Sequence, residues 1–176
     1  VVIEMIRVSD NTATNLLIKR IGGIDIVNKK FIKLGLKETQ LTNFLPDLEG
    51  TNTTTTKDLV MALKLGNQSG FLNIKTRDLF REVLSTSISN RLIPEGLLEG
   101  LGVERGNADY KLLIKGFKVF NKTGDIGVVY GDAAIIQRPD TSNAFASFIV
   151  KGPFNDPRSS ELIRKMAAAM IKIIKN

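Results

Sequence analysis

Two short stretches of the chain carry residue types able to do chemistry. Lys122-Thr123-Gly124 sets a cation, a hydroxyl and a residue with no side chain in succession. The residues leading into it alternate: Phe117, Val119 and Asn121 point one way, Lys118, Phe120 and Lys122 the other, which is the period of a strand. A glycine in a strand lets another backbone or a ligand come close. A positive charge and a hydroxyl beside that gap could hold a carboxylate at the strand edge. A solvated lysine running into a glycine turn is the plainer reading of the same tripeptide, because short motifs arise by chance. The second stretch is Ser9-Asp10-Asn11, three residues of N-cap type together, which predicts a helix start. Alone it is a cap.

Composition narrows the chemistry. The 176 residues suffice for one good-sized domain or two small lobes sharing a core, and 43% hydrophobic with 24% charged residues is globular composition. Cysteine and histidine are both absent, which removes disulfides, thiol nucleophiles, Cys/His metal sites and a Ser-His-Asp triad. Acid–base work would fall to Lys, Asp, Glu, Ser or Tyr; neither a metal nor a cofactor is expected. No apolar run approaches the roughly 18 residues needed to cross a membrane. The net charge of +7 is scattered rather than gathered on one run, with only nine Phe and two Tyr for stacking. That argues against nucleic-acid binding and leaves a general attraction to anionic substrates or polymers. The first residue is Val1 rather than Met, so the chain is expected to be part of a longer translation product, and the absence of a secretory signal says little about localisation.

The elements that must position these residues follow from spacing. A helix is predicted from Ser9 to Gly22-Gly23 and another from Asp25 to about Leu34, stopped by Gly35. Residues 38–52, with Pro46 and Gly50, read as a long surface loop of the kind that often carries function. Thr53 to Thr56 cap a helix reaching about Leu65, and Asn73 to about Ser87 forms the next, with Leu79, Phe80, Val83 and Leu84 inward. Pro94, Gly96, Gly100, Gly102 and Gly106 mark an irregular connection. Strands are expected near 117–122, 128–137 and 144–151, the last two joined by a hairpin at 139–143. A helix from Ser159 to Ile174 closes the chain with a broad apolar stripe of Leu162, Met166, Met170 and Ile173, with Ile163, Ala167 and Ile174, read as core packing. The fold class is α+β, with a helical lobe over 1–98, a sheet lobe over 99–176, and the two forming one incomplete domain.

Ser-Asp-Asn at a helix start together with Lys-Thr-Gly on a later strand resembles the penicillin-recognising serine enzymes. Class A β-lactamases and low-molecular-weight penicillin-binding proteins belong to that group, and their signature is S-x-x-K, S-D-N and K-T-G. The surroundings match too: M-I-R-V-S-D-N-T-A-T-N-L-L-I-K-R-I-G-G, Y-G-D-A-A-I-I, F-I-V-K-G and the final helix. The resemblance implies a β-lactamase/transpeptidase-like fold and acyl transfer to serine. It implies that Ser9 relays a proton to the leaving nitrogen and that Asn11 hydrogen-bonds the substrate side-chain amide. It implies that Lys122 raises the positive potential around Ser9, and that Thr123 grips the substrate carboxylate beside Gly124. The backbone N–H of Asp125 would form half an oxyanion hole, and Asp10 would tie its turn together.

The chain departs from that pattern twice. None of its serines has a lysine three residues on, so the nucleophile pair is expected before Val1. Second, T-Q-L-T-N-F-L-P-D-L-E-G lies on the β-lactamase Ω-loop without a gap. Phe44 takes the aromatic place and Pro46 the proline. Leu45 then falls where a β-lactamase has its water-activating glutamate, and Glu49 where it has an asparagine. A leucine cannot take a proton from water. The resemblance is therefore nearest to cyanobacterial penicillin-binding proteins of this fold, which are D-Ala-D-Ala peptidase-like. The segment from Glu99 to Gly116 is longer than the family's connection and has no assigned role.

The leading expectation is part of a serine acyl-transferase or hydrolase acting on D-Ala-D-Ala peptides or β-lactams, slow to deacylate, working on peptidoglycan outside the cytoplasm. Hydrolysis of β-lactam rings stays open, with Asp47 or Glu49 as substitute acids. So does a non-catalytic peptidoglycan-binding protein lacking the nucleophile.

Overall fold

A computed structural model describes residues 1–88 and 92–175, and the chain divides into two compact units, Val1–Ser89 and Asn90–Asn176. The architecture is α+β, helices first and an antiparallel meander after them.

The first unit is helical. Its short leading helix α1 (Val2–Arg7) precedes the predicted ones. Helix α2 (Asn11–Ile21) starts on Asp10, whose carboxylate accepts from the N–H of Ala13 at 2.6 Å, and ends on a left-handed Gly22. Helix α3 is Ile24–Lys33, and α4 (Thr56–Asn67) is capped by Thr55, whose hydroxyl accepts from Asp58 N–H. Helix α5 is Ile74–Ser85, with Asn73 as its cap. On α5, Val83 and Leu84 are buried as predicted, but Leu79 is 53% exposed. Gly66 belongs inside α4 rather than to the turn after it. A Cβ there would lie 2.6 Å from the Phe80 ring, so α4 and α5 touch only because the side chain is missing.

In the second unit, the region from Pro94 to Gly106 that reads as irregular contains two helices, α6 (Leu92–Gly100) and α7 (Ala108–Ile114). Pro94 sits in the first turn of α6, where backbone N–H groups have no helical acceptor in any case. Gly96 and Gly100 mark a close approach instead of a helix end. A Cβ on Gly96 would be 2.3 Å from the carbonyl of Arg164, and one on Gly100 would be 2.2 Å from Ile171. Both contacts are to the last helix, α8 (Pro157–Ile174). Because α6 packs on α8 and on the sheet, it belongs with the second unit, and the division falls at 89/90 instead of 98/99.

The sheet is β1 (Lys118–Asp125), β2 (Val129–Gln137) and β3 (Asn143–Lys151), antiparallel in the order β1-β2-β3. One face supplies Val119, Ala134, Ile136 and Ala146 to the core with Leu92, Ile93, Leu97 and Leu98 of α6. From α8 come Ile163, Ala167 and Ile171, spaced one turn apart and fully buried. The predicted stripe on α8 is thus narrower than expected: Ile163 and Ala167 are buried and Met166, Met170 and Ile174 partly buried, but Leu162 is 47% and Ile173 78% exposed.

The long segment after α6 is clamped to both helices. Arg105 donates to the two oxygens of Glu161 on α8 at 2.7 and 3.1 Å and to Glu99 on α6, while the N–H of Gly106 donates to Glu95 at 2.9 Å. The hydrogen bonds from Arg105 hold the Glu161 carboxyl at about 2, against a usual value of 4.5. A carboxyl with its pKa lowered by folding stabilises above its unfolded value and loses that contribution as pH falls through its folded one. Glu161→Gln is therefore expected to lower the thermal midpoint at pH 7, with the gap to the parent closing between pH 5 and about 2. An unchanged gap across that range would mean the side chain acts by packing alone.

Candidate active site

The candidate residues lie in both units and are built by different devices. In the first unit the chain turns from α1 into α2 through Ser9, which is exposed and has φ of 56°, the left-handed region that non-glycine residues seldom occupy. The turn is closed by Asp10, whose N–H donates to the carbonyl of Glu4 at 3.3 Å while its side chain caps α2. Asp10 is thus a structural residue. Asn11 follows on the first turn of α2 with its side chain exposed.

The loop over 38–52 is held by three asparagines. Asn15, inside α2, accepts from the N–H of Leu45 at 2.9 Å and donates to its carbonyl at 2.6 Å. Asn28, inside α3, does the same for Leu41, both at 2.8 Å. Each amide takes the place of a strand partner. Asn52 closes the loop on itself, accepting from the N–H groups of Thr42 and Asn43, and Gln40 bridges Thr53. Leu45, half-buried, is therefore fixed in space by the helix that begins at Asn11. Sequence reasoning passed over Asn15 and Asn28. The available signal was an asparagine in a helix interior, where its side chain competes with the backbone unless it has other work.

Of the two candidate acids, Asp47 is buried and turned inward. It accepts from Thr51 at 2.8 Å and from the N–H of Asn52 at 2.6 Å, and these bonds, the Asn52 one foremost, hold its pKa below the usual carboxylate value. Such a carboxylate is a weak base and a loop staple. Glu49 is exposed. Lys19 Nζ lies 5.5 Å from the centroid of Phe44.

In the second unit, Lys122, Thr123, Gly124 and Asp125 end β1, which pairs on one side with β2. Burial alternates along the strand as its sequence predicts: Asn121 and Thr123 face the core side, Thr123 with 6% exposure, while Lys122 is half-buried on the other. Burial lowers the pKa of the Lys122 ammonium, and the charge of Asp132 opposes that shift. A Cβ on Gly124 would meet nothing within 4 Å, and Gly124 is not among the glycines of positive φ. Neither packing nor backbone conformation requires glycine there. The side chain of Asp125 accepts from the N–H of Gly127 at 2.7 Å and shapes the turn into β2. Among the described residues, no cluster of acidic side chains could hold a metal ion, and no helix is long and apolar enough to cross a membrane.

A helical unit with Ser-Asp-Asn at a helix start, followed by a meander with Lys-Thr-Gly on its outer strand and a covering helix, defines a penicillin-recognising serine enzyme fold of the β-lactamase type. The sequence pattern of the Beta-lactamase enzyme family matches residues 1–174, and the chain belongs to that family. Among solved structures it is similar to PBP-A, with 39% identity and a TM-score of 0.83 over 97% of this chain and 58% of that one. A leucine-to-glutamate mutant of PBP-A, in an acyl-enzyme complex with penicillin G, gives 37% identity and 0.84 over 97% and 59%. The chromosome-encoded β-lactamase of Vibrio parahaemolyticus, 21% identical, shares the fold with a TM-score of 0.77 over 99% and 64%. No curated protein sequence matches. The chain spans 58–59% of the length of the PBP-A chains.

Proposed function

We propose that these residues belong to a serine acyl-transferase or hydrolase that takes β-lactams and D-Ala-D-Ala peptides, becomes acylated, and deacylates slowly. The observation that carries this reading is the loop. Asn15 pins the backbone of Leu45 to α2, so the position the family uses for a water-activating acid holds an apolar side chain. Asp47, the buried acid two residues further along the loop, is occupied by Thr51 and Asn52. Similarity to PBP-A, whose leucine-to-glutamate mutant forms an acyl-enzyme with penicillin G, supports β-lactam acylation.

The roles follow residue by residue. Ser9, held in a left-handed turn, relays the proton to the leaving nitrogen, and Asn11 on the first turn of α2 binds the substrate amide. Lys122 supplies positive charge for the substrate carboxylate, and Thr123 a hydroxyl. Gly124 leaves room for ligand backbone along the strand edge, and Asp125 N–H serves the oxyanion. Neither packing nor dihedral explains that glycine, which favours a ligand there. D-Ala-D-Ala peptides place the enzyme on peptidoglycan, outside the cytoplasm. Exposed Glu49 on the same loop favours β-lactam hydrolysis as the second reading.

The test is covalent labelling. Fluorescent penicillin is expected to give an adduct that survives denaturation on the full-length protein carrying these residues. Residues 1–176 alone, with no Ser-x-x-Lys, are expected to stay unlabelled. Absence of label on the full-length protein would overturn the reading.

A further inference from the structure

Asp132 has no part in the roles above, yet its carboxylate lies in the core of the second unit with 1% exposure. Its neighbours on that face of β2 are Tyr130, Ala134 and Ile136, all core residues. An apolar side chain would suit the position, and an unpaired carboxylate there is strongly disfavoured. The charge needs a reason.

We propose that Asp132 is a positioning residue that sets Lys122 for ligand binding, by locking the strand that carries it to the start of α6. The inference rests on the reading of Lys122-Thr123-Gly124 as a ligand edge. Asp132 sits directly across from Thr123 in the β1–β2 register. One carboxylate oxygen accepts from the N–H of Ile93 at 2.8 Å, in the first turn of α6, where N–H groups lack helical acceptors and the dipole favours an anion. The amide of Asn121, immediately before Lys122, donates to both oxygens at 3.0 and 3.2 Å. Asn121 is itself 1% exposed, and its own carbonyl oxygen has no partner. The amide is thus oriented toward the carboxylate although its other end gains nothing.

Side chains alternate across a strand, so fixing Asn121 on the core side fixes Lys122 on the other. Asp132 also supplies the negative charge that counters burial of the ammonium. Lys122 Nζ itself donates to the carbonyl of Thr123, and the other charged groups of β1 do not counter its burial. On β1, Lys118 is a like charge four residues back, and Asp125 is engaged with Gly127 N–H. Ala133 opposite on β2 and Ser147 beyond it on β3 are not charged.

The experiment compares Asp132→Asn with the exchange Asn121→Asp/Asp132→Asn in the full-length protein. The exchange returns one carboxylate and one amide to the pair, and Asn at 132 can still accept from Ile93 N–H. Two readouts are taken across pH: the NMR titration of the Lys122 side-chain ammonium and the rate of labelling by fluorescent penicillin. Asp132→Asn is expected to lower the Lys122 midpoint, because the charge that opposes the effect of burial is gone. The alkaline limb of labelling should move down with it, so that labelling slows there. The exchange should restore most of both. An unchanged Lys122 midpoint in a folded Asp132→Asn, or a folded exchange variant that restores neither readout, would overturn the proposal. So would loss of folding in both variants, which would mark the carboxylate as a helix cap only. If penicillin fails to label even the parent, the enzymatic reading falls, while the Lys122 titration still decides the role of Asp132.

Discussion

Penicillin attached to the full-length protein is expected to stay attached after free drug is removed, and Leu45→Glu is expected to shorten the life of the adduct. Release of an acyl group needs a base to take a proton from the attacking water, and a positioned base contributes about 10²–10⁴ in rate. The parent lacks one at this point of the loop. The backbone of residue 45 is held from both sides by Asn15, so a glutamate would inherit a defined starting direction. Two effects reduce the gain. The half-buried site raises the pKa of a new carboxyl, and Glu49 on the same loop adds a like charge. Adduct decay, parent against Leu45→Glu, measures the outcome. Fast decay in the parent would assign water activation to Glu49 and make β-lactam hydrolysis the leading reading.

Removing the charge at the end of β1 should have the second large effect, on formation of the adduct rather than its loss. A hydrogen bond to a charged group contributes about 1.5–3 kcal/mol. Thr123→Ala is therefore expected to slow acylation by about 10- to 100-fold, 1.4 kcal/mol being a factor of ten. Lys122→Met should cost at least as much. It removes the charge itself, and Lys122 is the more exposed of the two, Thr123 facing the core side with 6% exposure. Second-order labelling rates of the two variants against the parent check this. Parental rates in both would reduce Lys-Thr-Gly to the end of a strand.

What the sequence determined by itself was everything governed by neighbours along the chain. Asp10 as the cap of α2, Gly22 as its stop, the alternation through β1 and the three-strand meander were all legible, because caps, turns and period-two patterns are local. The loop was legible as a loop for the same reason, and Leu45 stood out because one side chain was of the wrong type for the chemistry. The tertiary structure decided what depends on contacts between distant residues. Gly96 and Gly100 look like helix breakers until α8 lies against them, where a methyl group would have no space. On α8, Ile163 and Ala167 were legible from their spacing, but the packing of α6 decided that Ile171 joins them in the core and that Leu162 and Ile173 stay exposed. Asn15 and Leu45 are 30 residues apart, and Ile93 and Asp132 are 39 apart. No local propensity records such pairs. They exist because a buried or half-buried polar group must find a donor or acceptor wherever the fold supplies one.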